Sequence, residues 1–364
     1  GEAPLTPVQQ WFFEQPMTQR AHWNQSLLLT PRETLDLAHV DAAVLRLIEQ
    51  HDGLRLRFEA GTQGWTQAHG AMPDASPVWQ RQAATAEELN ALCDEAQRSL
   101  SLAQGPLLRV LLVNMADGSQ RLLLAIHHLV VDGVSWRVLL EDLQSLLTQA
   151  RAGATLALPA KTSAYKVWAE QLQDYAQRPA LARELDYWQA ALADAPADLP
   201  CDHLQGGLSN ALGQKVAVTF DAQLTRQLLQ EAPAAYRTQV NDLLLTALAR
   251  VIARWSGEQS VLIQLEGHGR EELFEDIDLT RTLGWFTSLF PVKLTPAQDL
   301  AGSIKAVKEQ LRAVPGKGLG FGVLRYLGEP QVQAMLAELP APRITFNYLG
   351  QFDAQFDDGA LFVP

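Results

Sequence analysis

Along this chain the spacing of apolar positions changes repeatedly between two periods. Over Leu37–Gln50 the residues Val40, Val44, Leu47 and Ile48 fall on one stripe at helical spacing, which predicts a helix with a single buried face. A shorter helix is predicted over Thr6–Phe13. Compact apolar runs predict strands over Leu107–Val113 and Arg121–His128, and the turn residues Ala116-Asp117-Gly118-Ser119 between them predict a hairpin. After Asp132-Gly133 the helical period returns in SWRVLLEDLQSLLTQA, with Ser135 expected as the N-cap and Gly153 as the stop.

The stretch ARAGATLALPAKTSA has no period and is rich in Ala, Gly and Pro, so it marks the expected boundary between two lobes, 1–160 and 161–364. Helices over Ala164–Asp174 and Ala182–Ala193 follow, then the Pro-containing break DAPADLPCDH. Beyond it the pattern predicts strand Lys215–Phe220, helices Asp221–Glu231 and Asn241–Trp255, and strands Ser260–Glu266 and Phe286–Leu294. Helix Ile304–Val314 and strand Ile344–Tyr348 complete the series. Helices and strands alternate in both halves, as in two α/β layers, without a residue-level repeat.

Composition narrows the function. A chain of 364 residues, 47% hydrophobic, exceeds one ordinary core. A formal charge of −12 argues against a nucleic-acid partner, whose phosphates need Lys and Arg. Lys305, Lys308 and Arg312 share one face of a predicted helix, and an ordinary solvated face is the simpler reading of them. No apolar run approaches the roughly 18 residues of a membrane span. The opening GEAPLTPVQQWFFEQ lacks the layout of a signal peptide, so a soluble, cytoplasmic protein is expected. Cys93 and Cys201 lack metal or redox spacing and are expected as buried free thiols.

The densest chemistry lies in His127-His128-Leu-Val-Val-Asp132-Gly133-Val-Ser135-Trp136, at a strand-to-helix junction. Successive strand side chains point to opposite faces, so the two histidines cannot readily share a metal ion. One is expected to face a cleft and the other to pack inside. The positive end of the following helix disfavours imidazolium, which leaves the cleft histidine neutral and able to accept a proton near pH 7. Gly316, Gly318, Gly320 and Gly322 lack both nucleotide-loop spacings and point instead to tight turns or close backbone approach.

HHLVVDGVSW matches the HHxxxDG signature shared by condensation, epimerization and cyclization domains of nonribosomal peptide synthetases and by chloramphenicol acetyltransferase-like enzymes. Glu266–Glu271 resembles the EGHGRE motif of epimerization domains. PLTPVQQWF, NDLLLTAL, RTLGWFTSLFPV, PGKGLGFGVLRY and FNYLGQFD resemble the same family in the same order, from Pro4 to Asp353. The chain is thus similar to an epimerization domain. The resemblance implies an α/β fold: two chloramphenicol acetyltransferase-like sandwich lobes in a V-shaped pseudo-dimer around a substrate tunnel.

It also implies cofactor-independent inversion of the α-carbon of an aminoacyl or peptidyl thioester. His128 and Glu266 would form the acid/base pair, one group on each face of that carbon. His127, Asp132, Gly133 and Arg270 would be structural, with Asp132 holding its loop through an ion pair to Arg270. Trp136, Trp285 and Ser288, with Ser135 and Asn347, would line the substrate path. Asn347, Tyr348 and backbone N–H groups at the Gly133 turn are all candidate donors to an enolate oxygen, and Tyr348 joins the catalytic set. The implied partners are an upstream peptidyl carrier protein, whose 4′-phosphopantetheine arm delivers the substrate, and a downstream condensation domain. No metal or redox cofactor is implied, and the chain reads as an excised, monomeric domain. The rival readings are a condensation domain, a stand-alone acetyltransferase and a non-catalytic carrier-binding scaffold.

Overall fold

A computed structural model describes residues 1–351 and 359–364. Its contacts gather into two compact units, one formed by Gly1–Ala176, His268–Thr287 and Leu349–Pro364, the other by Gln177–Gly267 and Ser288–Tyr348. The single cut expected after residue 160 is therefore replaced by a break after Ala176, and the first unit takes back two later segments. A linear scan finds breaks in periodicity but does not see which body a returning segment packs on.

In the first unit the strands are β1 (Glu2–Ala3), β2 (Asn24–Pro31), β3 (Leu56–Gly61), β4 (Gly64–His69), β5 (Val78–Ala83), β6 (Leu108–Met115) and β7 (Gln120–His127). The second unit holds β8 (Val261–Gly267), β9 (Ser288–Leu294) and β10 (Ile344–Phe346), and β11 (Phe362–Val363) returns to the first. Five of these form one sheet in the order β11-β2-β7-β6-β5, and β1-β4-β3 form a small second sheet. The predicted hairpin is β6–β7, with Asn114 opposite Gln120. Both strands are buried on nearly every residue, which is why they read as continuous apolar runs.

The helices of the first unit are α1 (Pro7–Glu14), α2 (Leu37–Gln50), α3 (Ala86–Gln97), α4 (Gly133–Arg151) and α5 (Tyr165–Ala176). Asp36 caps α2 by accepting from Ala38 N at 2.8 Å. Leu89 and Ala96 of α3 bury against Leu111, Val113, Leu123 and Ala125 of the large sheet, and α2 packs on α4. Asp132, and not Ser135, is the N-cap of α4, accepting from Ser135 N at 2.8 Å. Ser and Asp are both good caps, and the aspartate takes the position because Ser135 is already the third helical residue.

In the second unit β8 is central, parallel to β10 and antiparallel to β9. The helices are α6 (Pro179–Ala182), α7 (Glu184–Leu192), α8 (Ala222–Arg226), α9 (Ala232–Tyr236), α10 (Val240–Ser256), α11 (Leu300–Arg312), α12 (Leu319–Leu327) and α13 (Pro330–Ala337). The helix expected over Asp221–Glu231 is α8 followed by a π turn, Gln227–Glu231. Pro233, two residues after the turn, cannot donate a helical hydrogen bond. Lys215–Phe220 is not a strand: it is exposed and joins no ladder among the described residues, although Val216 and Val218 alternate as a strand would. Alternation alone does not supply a neighbouring edge.

Gly318 has φ +87°, and a Cβ there would lie 2.3 Å from the Phe290 ring, so close backbone approach accounts for this glycine. Lys305 and Arg312 are exposed on α11. Cys93 is half-buried and Cys201 is exposed, so neither thiol has the buried position expected for it. No helix among the described residues is long and apolar enough to cross a membrane.

Candidate active site

The HHLVVDG segment runs from the last residue of β7 through one 3₁₀ turn, His128–Val130, into α4. His127 points inward and is fully buried. Its Nε2–H donates to the Arg20 carbonyl at 2.7 Å, and its Nδ1 accepts from Leu129 N–H at 3.1 Å. Phe12 meets the ring edge-on. Burial pushes its pKa down to about 4, so this imidazole is a neutral structural group with both nitrogens committed.

His128 is disposed differently. Its Nδ1 lies 2.8 Å from the Val131 carbonyl, which can only accept, so the neutral ring carries its hydrogen on Nδ1 and leaves Nε2 bare. Trp285 stacks on its face with centroids 4.0 Å apart. Burial again lowers the pKa, and the Val131 hydrogen bond and Asp132 charge oppose the shift. The product is a half-buried neutral imidazole with an unprotonated Nε2.

Asp132 holds the loop. Its Oδ1 accepts from Ser135 N, from the Ser135 hydroxyl at 2.7 Å and from Arg270 Nη2 at 2.9 Å, while Oδ2 accepts from Phe286 N at 3.2 Å. Arg270 also donates to the Leu279 and Thr282 carbonyls and lies over the Phe286 ring at 4.2 Å. Its side chain and that of Asp132 are 7% and 5% exposed, so this is a buried ion pair whose loss would strand a charge. The first residue of α4, Gly133, follows this clamp directly.

Glu266 lies near the end of β8 in the second unit, opposite Leu289 of β9. On the other side Phe346 pairs with Leu265, and Asn347 is the next residue along the parallel ladder. Asn347 is exposed and Tyr348 half-buried. Ser288 is opposite Gly267, and its Oγ lies 2.6 Å from where a Cβ on that glycine would sit. Burial raises the Glu266 pKa and is the sole cause of the shift. The next two arginines along the chain are engaged elsewhere: Arg270 with Asp132, and Arg281 with Glu141 and Asp142.

Two expectations for the substrate path need correction. Ser135 is fully buried, with its hydroxyl engaged by Asp132, Arg270 and Gly284, so it belongs to the clamp. Trp136 is 8% exposed and donates its indole N–H to Gln25 Oε1 at 2.9 Å, so it backs Gln25 instead of facing a ligand. Trp285 is 3% exposed, and its indole N–H has no acceptor among the described residues. Phe352 and Asp353, which end FNYLGQFD, lie outside the described residues.

The sequence reading missed two residues. Gln25, on β2, has its Nε2 3.4 Å from His128 Nε2. Tyr165 accepts from the Thr6 hydroxyl at 2.8 Å and donates to the Trp285 carbonyl at 2.9 Å. Neither stands in a recognisable motif. A polar residue one position after Asn24 in the run NQSLLLTP was the available signal for Gln25.

This fold is the mixed α/β, chloramphenicol acetyltransferase-like one of condensation and epimerization domains of nonribosomal peptide synthetases. The chain belongs to the condensation-domain family, whose model matches residues 1–360. Over its whole length it is 45% identical to part of a linear gramicidin synthase of Brevibacillus parabrevis, and it spans 7% of that protein. Over 97% of its length it is 39% identical to tyrocidine synthase 1 of the same organism, spanning 33% of it. A solved structure of the epimerization domain from the third module of tyrocidine synthetase B matches with a TM-score of 0.90 at 40% identity, covering 97% of this chain and 80% of that one. The first condensation domain of the calcium-dependent antibiotic synthetase shares the fold at a TM-score of 0.74 and 19% identity, covering 100% of this chain and 84% of that one.

Proposed function

We propose that the chain is an epimerization domain that inverts the α-carbon of an aminoacyl or peptidyl group. The substrate arrives as a thioester on the 4′-phosphopantetheine arm of an upstream peptidyl carrier protein, and a condensation domain downstream consumes the product, in the cytoplasm. One observation carries this reading: burial moves the two titratable groups in opposite directions, His128 toward the neutral base and Glu266 toward the protonated acid. A one-proton exchange at carbon calls for this pairing.

In one direction His128 Nε2 removes the α-proton, the electron pair passes into the thioester as an enolate, and protonated Glu266 returns a proton to the opposite face. The roles exchange on reversal, so the L and D forms interconvert. The reaction involves no change of oxidation state, and His128 and Glu266 regain their starting protonation by exchange with water. The pairing is the one that the resemblance of HHLVVDG and EGHGRE to the epimerization motifs implies. The unpaired indole N–H of Trp285, beside the imidazole, and Asn347, next along the ladder from Phe346, are donors for the enolate oxygen, with Tyr348 following.

Condensation is the second reading, favoured by the family-wide match. It also uses the histidine but has no role for a second proton carrier at Glu266. The deciding experiment loads an aminoacyl thioester on a carrier protein in deuterium oxide and measures α-deuteration and the D/L ratio for wild type, His128→Ala and Glu266→Ala. Deuteration with inversion in the wild type, and loss of inversion in either variant, is the expected result. A folded wild type that exchanges no α-proton on several substrates, yet forms peptide bonds with a second loaded carrier, overturns the proposal in favour of condensation.

A further inference from the structure

Beside the unprotonated nitrogen of His128 stands an amide from β2. Gln25 stands on β2 opposite Ile126 of β7, and its neighbour Asn24 stands opposite His127, so the sheet ladder fixes its backbone against the histidine pair. The two ends of a glutamine amide have nearly the same shape, and hydrogen-bond partners decide which way it faces. Trp136 decides it here. An indole N–H can only donate, so the atom 2.9 Å from Trp136 Nε1 is the Gln25 carbonyl oxygen, and the amide NH₂ is turned to His128 Nε2 at 3.4 Å. At the far side of the ring the Val131 carbonyl can only accept, which holds the imidazole hydrogen on Nδ1. One partner that can only donate and one that can only accept thus fix the direction of every hydrogen in the chain Trp136–Gln25–His128–Val131.

We propose that Gln25 is a positioning residue for His128: held by Trp136, its amide N–H is aimed at Nε2 and keeps that nitrogen unprotonated and oriented between turnovers. This rests on the reading of His128 as a proton carrier. When Nε2 takes a proton, its new N–H meets the N–H of Gln25, donor against donor. The amide cannot turn over to relieve this without facing its NH₂ to the Trp136 indole, which would leave two more donors opposed. The arrangement therefore stabilises the neutral imidazole, and the protonated ring becomes a stronger acid that gives its proton up readily. An exchange that must run in both directions at one carbon benefits from both effects.

The other charged and titratable groups around the ring do not replace this control. Asp132 would favour the protonated ring, but its carboxylate is already taken by Arg270, Ser135 and the Phe286 N–H. His127 is neutral, with both nitrogens bonded. The ring face is covered by Trp285, which carries no charge.

The test is a ¹⁵N NMR titration of the histidine side chains in the intact chain, with wild type, Gln25→Glu, Gln25→Met and Trp136→Phe, run beside the pH dependence of α-proton exchange. In the wild type His128 should show the Nδ1–H tautomer and a midpoint below the ordinary histidine value of about 6.5. Gln25→Glu replaces the donor with an acceptor carboxylate, and the midpoint should rise by about one to three units. Gln25→Met removes the donor, and Trp136→Phe frees the amide to turn, so both should raise the midpoint by less. The acid limb of the exchange profile should move by the same amounts. A His128 midpoint unchanged in all the variants that remain folded overturns the proposal. The titration needs no turnover, so a chain that never exchanges the α-proton defeats the epimerase reading while the midpoints still decide the role of Gln25.

Discussion

The two proposed proton carriers occupy regions built on opposite plans. Around His128 nearly every polar atom is committed: His127 to Arg20 and Leu129, Asp132 to four donors, Arg270 to two carbonyls and a carboxylate. Glu266 instead stands near the end of a strand with its pKa raised by burial alone, without an opposing charge. Polar satisfaction fixes the geometry of the first region, whereas in the second desolvation raises the proton affinity of the carboxyl. The difference teaches that one protein can tune two groups by separate means: a base needs a fixed tautomer, while an acid needs only an environment that disfavours its charge.

The comparison is broken or sharpened most strongly by removing the two carriers. His128→Ala and Glu266→Gln should each slow α-proton exchange by about 10²- to 10⁴-fold. Their effects on stability should differ. A carboxyl whose folded pKa lies above its unfolded value is destabilising once ionised, so Glu266→Gln should hold or raise the melting temperature at pH 7. A melting temperature that falls as far as that of Asp132→Ala would show that Glu266 has a structural partner after all.

Next in size is the clamp itself. Asp132→Ala leaves Arg270 buried and unpaired and should cost about 3–5 kcal/mol in denaturant unfolding. A cost below about 1 kcal/mol would place this pair with solvent-screened surface bridges.

His127 gives a pH signature of similar but smaller size. Its folded pKa is depressed to about 4, so the unfolded chain takes up a proton from about pH 6.5 downward while the folded chain does not. Its contribution is therefore complete above pH 6.5 and is lost as the pH falls toward 4, about 3 kcal/mol in all. Urea unfolding of wild type and His127→Asn across that range checks it, and parallel curves would remove His127 as the cause. The smallest effect belongs to the second unit. Gly318→Ala, forced against Phe290 at positive φ, should cost about 1–3 kcal/mol without altering the His128 titration.

Much of this was legible in the chain because it is local. The stripe of Val40, Val44, Leu47 and Ile48 defined α2 to the residue, the turn at Ala116–Ser119 defined the β6–β7 hairpin, and Ser260–Glu266 shifted by one residue to become β8. The Asp132–Arg270 pairing followed from the motif resemblance and stands in the structure at 2.9 Å. Lys215–Phe220 went wrong for the complementary reason: its alternation is local, but strand formation depends on an edge supplied from elsewhere. Ser135 was misplaced because cap and third helical residue differ only by register, and its hydroxyl is consumed by residues some 135 and 149 positions away.

By itself the sequence determined the periods of its helices and strands, the residue types gathered at the HHLVVDG and EGHGRE motifs, and hence the family of chemistry they serve. Tertiary structure alone decided which histidine is buried in full, which nitrogen of His128 is bare, and that Gln25, 103 residues before it, faces that nitrogen. The physical reason is that side-chain periodicity is written in neighbours along the chain, whereas the tautomer and basicity of a ring are set by donors and acceptors that strand register brings in from far away.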